Sequence, residues 1–212
     1  MKRIHPIAML AGVLVAAPVA AFDQADLDRL NETGECEGCD LDGALLAGNN
    51  LAGAQMAGAD ISNTFIRFQN FSGGDLSGVI AVDAFFLEST AIETVFDNAD
   101  LTKVGTENST MRGASFVGAT LVEGSIKSTN LRLADFSGAD LTDTVFEGAT
   151  LSGASLVGAT LVNVVFDHTG LSDVDMTDAD LTGAAFESTD ISSVTFCRTT
   201  MPDGTTNNDG CP

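Results

Sequence analysis

The chain has 212 residues, a formal net charge of −21 and 44% hydrophobic residues. This share of apolar residues argues against a disordered chain, and the length fits one domain. The excess of acids argues against direct nucleic-acid binding, because contacts to phosphates require Lys and Arg.

The first residues have the pattern of a signal peptide. Lys2 and Arg3 form a short positive region, and Ile7–Ala17 forms an apolar run that is too short to span a bilayer. Small residues precede the predicted cleavage after Ala21. The pattern predicts a signal peptide over residues 1–21, a periplasmic or secreted mature protein, and no membrane span after cleavage.

A short segment, residues 22–38, precedes a regular repeat. Leu27 and Leu30 are three positions apart, and Asp26 lies near the start of the segment. This spacing is typical of a short amphipathic helix. We predict an N-terminal capping helix, because the open end of a repeat structure otherwise invites self-association.

A five-residue repeat fills most of the chain. From Leu41 to Met201, 30 of the 33 fifth positions hold Leu, Ile, Met or Phe. The three exceptions are Ala81, Ala91 and Thr106. The residue two places before each of these positions is small, except at Asn49 and Gln69.

The repeat predicts a solenoid. Alternate residues of an extended segment point to the same side, so the small and the large residue of each unit point inward. Asp, Asn, Thr and Ser then point outward. The second residue after the large one is often Gly, which suits a corner with unusual backbone angles. Short sides that always turn the same way stack into a solenoid.

Units such as ADFSG at residues 134–138 and ADLTG at residues 179–183 resemble the pentapeptide-repeat family. The resemblance covers residues 39–201 and implies an all-β fold, a right-handed quadrilateral β-helix with twenty residues per coil. It implies about eight coils stacked about 4.8 Å apart. A turn-rich tail, residues 202–212, follows. Phe residues recur at the same spacing, at Phe96, Phe116 and Phe136 and at Phe146, Phe166 and Phe186.

The four cysteines lie near the two ends of the predicted rod. An exported chain reaches an oxidising compartment, and a rod of this length excludes bridges from end to end. The pairs that remain are Cys36 with Cys39 and Cys197 with Cys211. The second pair would hold the tail across the last coil. The first pair stays open at this stage, because Cys39 also occupies an inward position.

The sequence offers little for catalysis. His168 is the only histidine after the predicted signal peptide, and the acids are spread over outward positions, where solvation accounts for them. We predict a protein that is not an enzyme and that has no cofactor or metal.

One outward column is apolar. It contains Leu45, Phe65, Phe85, Val145, Val165 and Ala185, with Phe68, Leu87 and Ile92 nearby, and it is interrupted by Gly105 and Ser125. An apolar strip on an acidic rod predicts a binding surface, with Phe65, Phe68, Phe85, Leu87 and Ile92 as candidate interface residues. Two alternatives are cover by the N-terminal segment and a local bulge that turns Ile80, Phe85 or Ile92 inward.

Two functions follow as expectations. The first is an exported, non-catalytic scaffold that binds an unknown protein or cell-surface partner, with a homo-oligomer left open. The second comes from the resemblance, since some members of the family mimic duplex DNA and bind DNA gyrase, a type II topoisomerase. The export signal favours the first, because gyrase is cytoplasmic.

Overall fold

The structure is a computed structural model that describes residues 22–212. The predicted signal peptide therefore lies outside the described residues. Helix α1, Gln24–Thr33, begins after Asp23, whose side chain accepts a hydrogen bond from the backbone of Ala25. It ends at Gly34, which adopts a left-handed conformation and donates its N–H to the carbonyl of Leu30.

Helix α1 closes the N-terminal end of the core, as the sequence predicted. Leu30 is fully buried. Asp40 of the first coil accepts from the backbone N–H of Asp23 and donates its own N–H to the side chain of Asp26. These bonds satisfy backbone groups that the first coil would otherwise leave unpaired.

Eight three-residue strands form one parallel sheet in chain order. They are β1 Leu45–Ala47, β2 Phe65–Arg67, β3 Phe85–Leu87, β4 Gly105–Glu107, β5 Ser125–Lys127, β6 Val145–Glu147, β7 Val165–Asp167 and β8 Ala185–Glu187. Each strand pairs with the next at a shift of twenty residues. Isolated parallel bridges at the same shift mark three further sides of a coil, for example at Asn50, Gln55 and Asp60. The fold is therefore a four-sided β-solenoid, and seven turns separate β1 from β8.

The large and small residues of each unit point inward and form a single core. Phe96, Phe116 and Phe136 stack with centroid distances of 5.0 and 4.7 Å. A second stack contains Phe146, Phe166 and Phe186, with two distances of 5.3 Å. Both stacks confirm the twenty-residue coil.

The corners require left-handed backbone. Every fifth residue from Gly38 to Arg198, with the exception of Ser193, has a positive φ, and eighteen of these residues are not glycine. A left-handed conformation costs an L-residue about 1–2 kcal/mol. The ladder holds the corners in place: Leu133, at φ 60°, donates its N–H to the carbonyl of Ser152 at 3.1 Å.

The alternative of a local bulge near Ala81 does not hold, because the solenoid keeps its register through this stretch. Ala81 and Ala91 occupy inward positions and are buried, while Ile80 and Phe85 stay outside. An apolar cavity of about 20 Å³ lies in the core beside Thr106. Thr106, which stands where most units hold a larger apolar residue, therefore leaves the core underfilled here.

The stretch from Ala81 to Thr106, which holds all three exceptions to the large inward residue, is expected to open first in hydrogen exchange, before the coils around Phe146 and Phe166. Thr106→Ile should slow exchange in this stretch and stabilise the protein by about 1 kcal/mol, because it adds apolar volume beside the cavity. Thr129, which bonds the Thr106 hydroxyl, keeps its bond to a backbone carbonyl. Thr106→Val, which removes the hydroxyl without filling the cavity, is the control. Uniform exchange along the solenoid would contradict the prediction.

Gln69 is a large polar residue in a small inward position. It is 1% exposed, and neither its Oε1 nor its Nε2 has a hydrogen-bond partner among the described residues. A buried polar group without a partner loses its hydration and gains no bond in exchange. This side chain destabilises the coil that holds it.

Gln69→Met is expected to raise the free energy of unfolding by about 1–3 kcal/mol, because it keeps the volume and removes the unpaired amide. Chemical denaturation measures the change. Gln55→Met, at an exposed position on the first coil, is the matched control and should change stability by less than about 0.5 kcal/mol. Equal or lower stability for Gln69→Met would show that its amide is satisfied in solution.

The C-terminal tail is attached to the last coil. Strands β9, Thr199–Thr200, and β10, Thr206–Asn207, form an antiparallel hairpin. Cys197 and Cys211 form a disulfide with a Cα–Cα distance of 4.7 Å, as predicted. Gly210 donates its N–H to the carbonyl of Phe196 at 2.7 Å. The tail thus packs against the end of the solenoid.

An ion pair also joins the last two coils. Two nitrogens of Arg198 contact the two carboxylate oxygens of Asp178 at 2.6 Å. The hydrogen bonds from Arg198 lower the pKa of the Asp178 carboxyl. Because the pKa in the folded state is depressed, the contribution to stability is present at neutral pH and is lost as the pH falls through that pKa.

Removal of the Cys197–Cys211 bridge in a Cys197→Ala/Cys211→Ala variant is expected to destabilise the C-terminal end by about 3 kcal/mol in the chain-entropy model. Hydrogen exchange at β9 and β10 measures the loss, and α1 at the far end is the internal control. Two free thiols in the mass spectrum of protein purified without reductant would show that the bridge does not form.

Candidate binding face

The candidate site is the outer surface of strands β1–β8, here named the strand face. The first residue of each strand contributes to one outward column, the first column: Leu45, Phe65, Phe85, Gly105, Ser125, Val145, Val165 and Ala185. The third residue contributes to the third column: Ala47, Arg67, Leu87, Glu107, Lys127, Glu147, Asp167 and Glu187. Each column runs without a break along the solenoid because the strands pair in register.

The N-terminal end of the strand face is apolar and exposed. Leu45 is 65% exposed, Phe65 44% and Phe85 43%. The rings of Phe65 and Phe85 stack with their centroids 6.4 Å apart. Phe68 lies at the adjoining corner, and Leu87 lies in the third column. We name Leu45, Phe65, Phe68, Phe85 and Leu87 the aromatic patch.

Gly105 does not interrupt the first column. A side chain at this position would lie 2.5 Å from the ring of Phe85, so the ring covers the glycine. Gly105 is buried as a result. The apolar surface therefore continues from Leu45 to the fourth strand. The sequence showed the missing side chain but not the direction in which Phe85 leans.

Four of the five predicted interface residues lie together, and one lies apart. Phe65, Phe68, Phe85 and Leu87 belong to the aromatic patch. Ile92 is half-buried and follows the next corner, at Glu88, so it lies on the neighbouring side of the solenoid. Helix α1 leaves the patch uncovered, since Leu45, Phe65 and Phe85 stay exposed. Asn49 of the first coil donates a side-chain hydrogen bond to Asn31 of the helix.

Charges border the aromatic patch. The guanidinium of Arg67 lies 4.5 Å from the ring centroid of Phe68 and 3.4 Å from a carboxylate oxygen of Glu88. Lys127 lies 3.2 Å from Glu147. Both cations of the third column are therefore paired with acids.

Acids predominate in the third column from the fourth strand onwards. Glu107 and Glu187 have no Lys, Arg or His within 4.0 Å among the described residues, and Asp167 contacts only His168. The strand face is thus apolar at one end and carries carboxylates without a Lys or Arg partner towards the other. This column was not predicted, although the acids Glu147, Asp167 and Glu187 recur at a spacing of twenty residues.

The strand face offers surface for binding and few groups for chemistry. Asp167 bonds the Nδ1 atom of His168, and His168 is exposed at a corner. Within residues 22–212, no group of His, Cys, Asp or Glu residues is arranged to hold a metal ion. In the same part of the chain, no helix has the length and apolar character needed to cross a bilayer.

The Cys36–Cys39 pair, left open by the sequence, forms a disulfide with a Cα–Cα distance of 5.2 Å. Both cysteines are buried beneath α1. Arg29 of the helix donates a hydrogen bond to the Sγ of Cys39 at 2.8 Å. The pair joins the cap to the first coil. Two disulfides in one chain indicate a non-cytoplasmic environment.

The chain is similar to several solved structures. Full-length QnrB1, a plasmid-mediated fluoroquinolone resistance protein, is 21% identical over 76% of this chain and 85% of its own, with a TM-score of 0.48. HetL, from the cyanobacterium Nostoc sp. strain PCC 7120, is 20% identical over 82% of this chain and 87% of its own, with a TM-score of 0.33. Rfr23, from the cyanobacterium Cyanothece 51142, is 25% identical over 59% and 92%, with a TM-score of 0.36.

No curated protein matches the chain. The family of pentapeptide repeats matches it in eight copies, over residues 35–67, 107–138, 129–167 and 161–197. These segments cover more than half of the chain. The chain therefore belongs to the pentapeptide-repeat family.

Proposed function

We propose that the protein is an exported, non-catalytic scaffold that binds a protein or cell-surface partner through the aromatic patch. The observation that carries the proposal is the exposed stack of Phe65 and Phe85 on a strongly acidic solenoid. Exposed aromatic side chains that are grouped and rigid are typical of interaction sites. The parallel pairing of β2 with β3 holds both rings in place.

Export is supported by two independent features. The signal-peptide pattern of residues 1–21 places an apolar run before small residues. The disulfides at both ends require an oxidising compartment to persist. A role without catalysis is supported by the uninterrupted repeat, since its corners are too short to build a cleft.

Expression with the photoreactive residue benzoylphenylalanine tests the proposal in the native host. At Phe65 or Phe85 the probe is expected to cross-link a partner outside the cytoplasm, because both rings face outward on the strand face. At Val117, an exposed position on a different side of the solenoid, it should not. The same cross-links at all three positions, or none at Phe65 and Phe85, would contradict the proposal.

Fractionation with N-terminal sequencing tests export. We expect a mature protein that begins at Phe22 outside the cytoplasm. An intact Met1 in the cytosol would overturn export and favour the second function, mimicry of DNA towards a type II topoisomerase. Inhibition of gyrase supercoiling by the purified protein would then be the deciding assay.

A further inference from the structure

We infer that the strand face takes a basic amphipathic α-helix of a partner protein, which lies along the solenoid axis. Its apolar stripe packs on the first column, and its cations face the carboxylates of the third column. The inference rests on the proposed function and adds the chemistry of the partner. Three properties of the strand face carry it: its length, its apolar column and its charge.

The length of the first column matches a helix. Seven strand spacings separate Leu45 from Ala185, which is about 34 Å at about 4.8 Å per strand. A helix of about twenty residues spans about 30 Å. Because the columns are continuous, a partner that lies along the solenoid axis can contact several successive strands.

The first column is apolar along most of this length. Phe85 covers Gly105, so the only polar side chain in the column is that of Ser125. Val145 is 37% exposed, and Val165 and Ala185 are half-buried and follow in register. The apolar stripe of an amphipathic helix is likewise narrow and continuous, so it can pack along the first column.

The negative charge of the third column favours a basic partner. Arg67 and Lys127 are already paired with acids. Glu107 and Glu187 are left for Lys or Arg of the partner, together with Asp167, whose contact within the chain is with His168. A phosphate-rich or acidic partner would meet repulsion from these carboxylates. A second copy of a chain with net charge −21 would meet repulsion as well.

The geometry predicts a defined orientation. Large apolar side chains of the helix should lie at its end over Phe65 and Phe85, where exposure of the column is greatest. Lys and Arg should concentrate at the other end, over Asp167 and Glu187. One side of the solenoid thus offers apolar contact at its N-terminal end and acidic contact at its C-terminal end.

Binding of a synthetic peptide to the oxidised protein, residues 22–212, tests the inference. The probe is a fluorescent helix of about twenty residues with one Leu stripe flanked by Lys. A peptide of the same composition in scrambled order is the control for non-specific charge attraction. We expect the striped peptide to bind, as measured by fluorescence anisotropy, and the scrambled peptide to bind at least about tenfold more weakly.

Substitutions on the strand face locate the site. Phe65→Ser should weaken binding of the striped peptide by about tenfold, because it removes an exposed ring. Asp167→Asn/Glu187→Gln should weaken binding and reduce its salt dependence. The matched control, Glu93→Gln/Asp173→Asn, removes the same charge at another edge and should leave binding unchanged. Hydrogen exchange of each variant checks that the solenoid is intact.

Three outcomes would overturn the inference. The first is equal binding of the striped and scrambled peptides, and the second is an equal effect of the two double variants. The third is self-association in sedimentation that Phe65→Ser abolishes, which would assign the face to a second copy. If the partner still cross-links to the probe at Phe85 while the peptide fails to bind, the partner is not a basic amphipathic helix, and the proposed function stands. If neither the cross-link nor peptide binding is found, both the inference and the proposed function are contradicted.

Discussion

The structure depends on one backbone constraint, which is that the chain must turn a corner every five residues. Each corner uses a left-handed residue, and the hydrogen bonds to the next coil hold that residue in place even when it is Phe68 or Leu133. An isolated corner of this kind would be unfavourable by about 1–2 kcal/mol without glycine. The corners are therefore stable only as a stack, because each coil supplies the bonds that its neighbour needs.

The same constraint separates stability from function. Two residues of every five point inward and form the core, so the other positions are free to vary without loss of the fold. Because neighbouring coils pair at a shift of twenty residues, outward side chains twenty positions apart lie next to each other and form columns. Phe65 above Phe85, or Asp167 beside Glu187, become surfaces only because the coils align them. A binding face arises here without an added loop.

Much of the fold could be predicted because the repeat is local. The phase from Leu41 to Met201 identifies most of the inward residues, with Asn49 as an exposed exception, and the Phe spacing identifies the coil. The sequence could not show that Ala81 stays in phase without a bulge, because packing against neighbouring coils decides it. Nor could it show the ring of Phe85 over Gly105, since the direction of a side chain depends on the space that its neighbours leave.

Within the candidate site, the sequence predicted which residues lie in one column better than it predicted which residues lie close together. The spacing placed Phe65 and Phe85 in one column, but it grouped Ile92 with them although a corner separates them. The coil of Phe85 shows the same limit. Ala81 and Ala91 are buried on the two sides next to strand β3, while Phe86 fills the inward position of the strand itself. Phe85 is therefore outside because alternation along the strand places it there, and not because the core beneath it is empty.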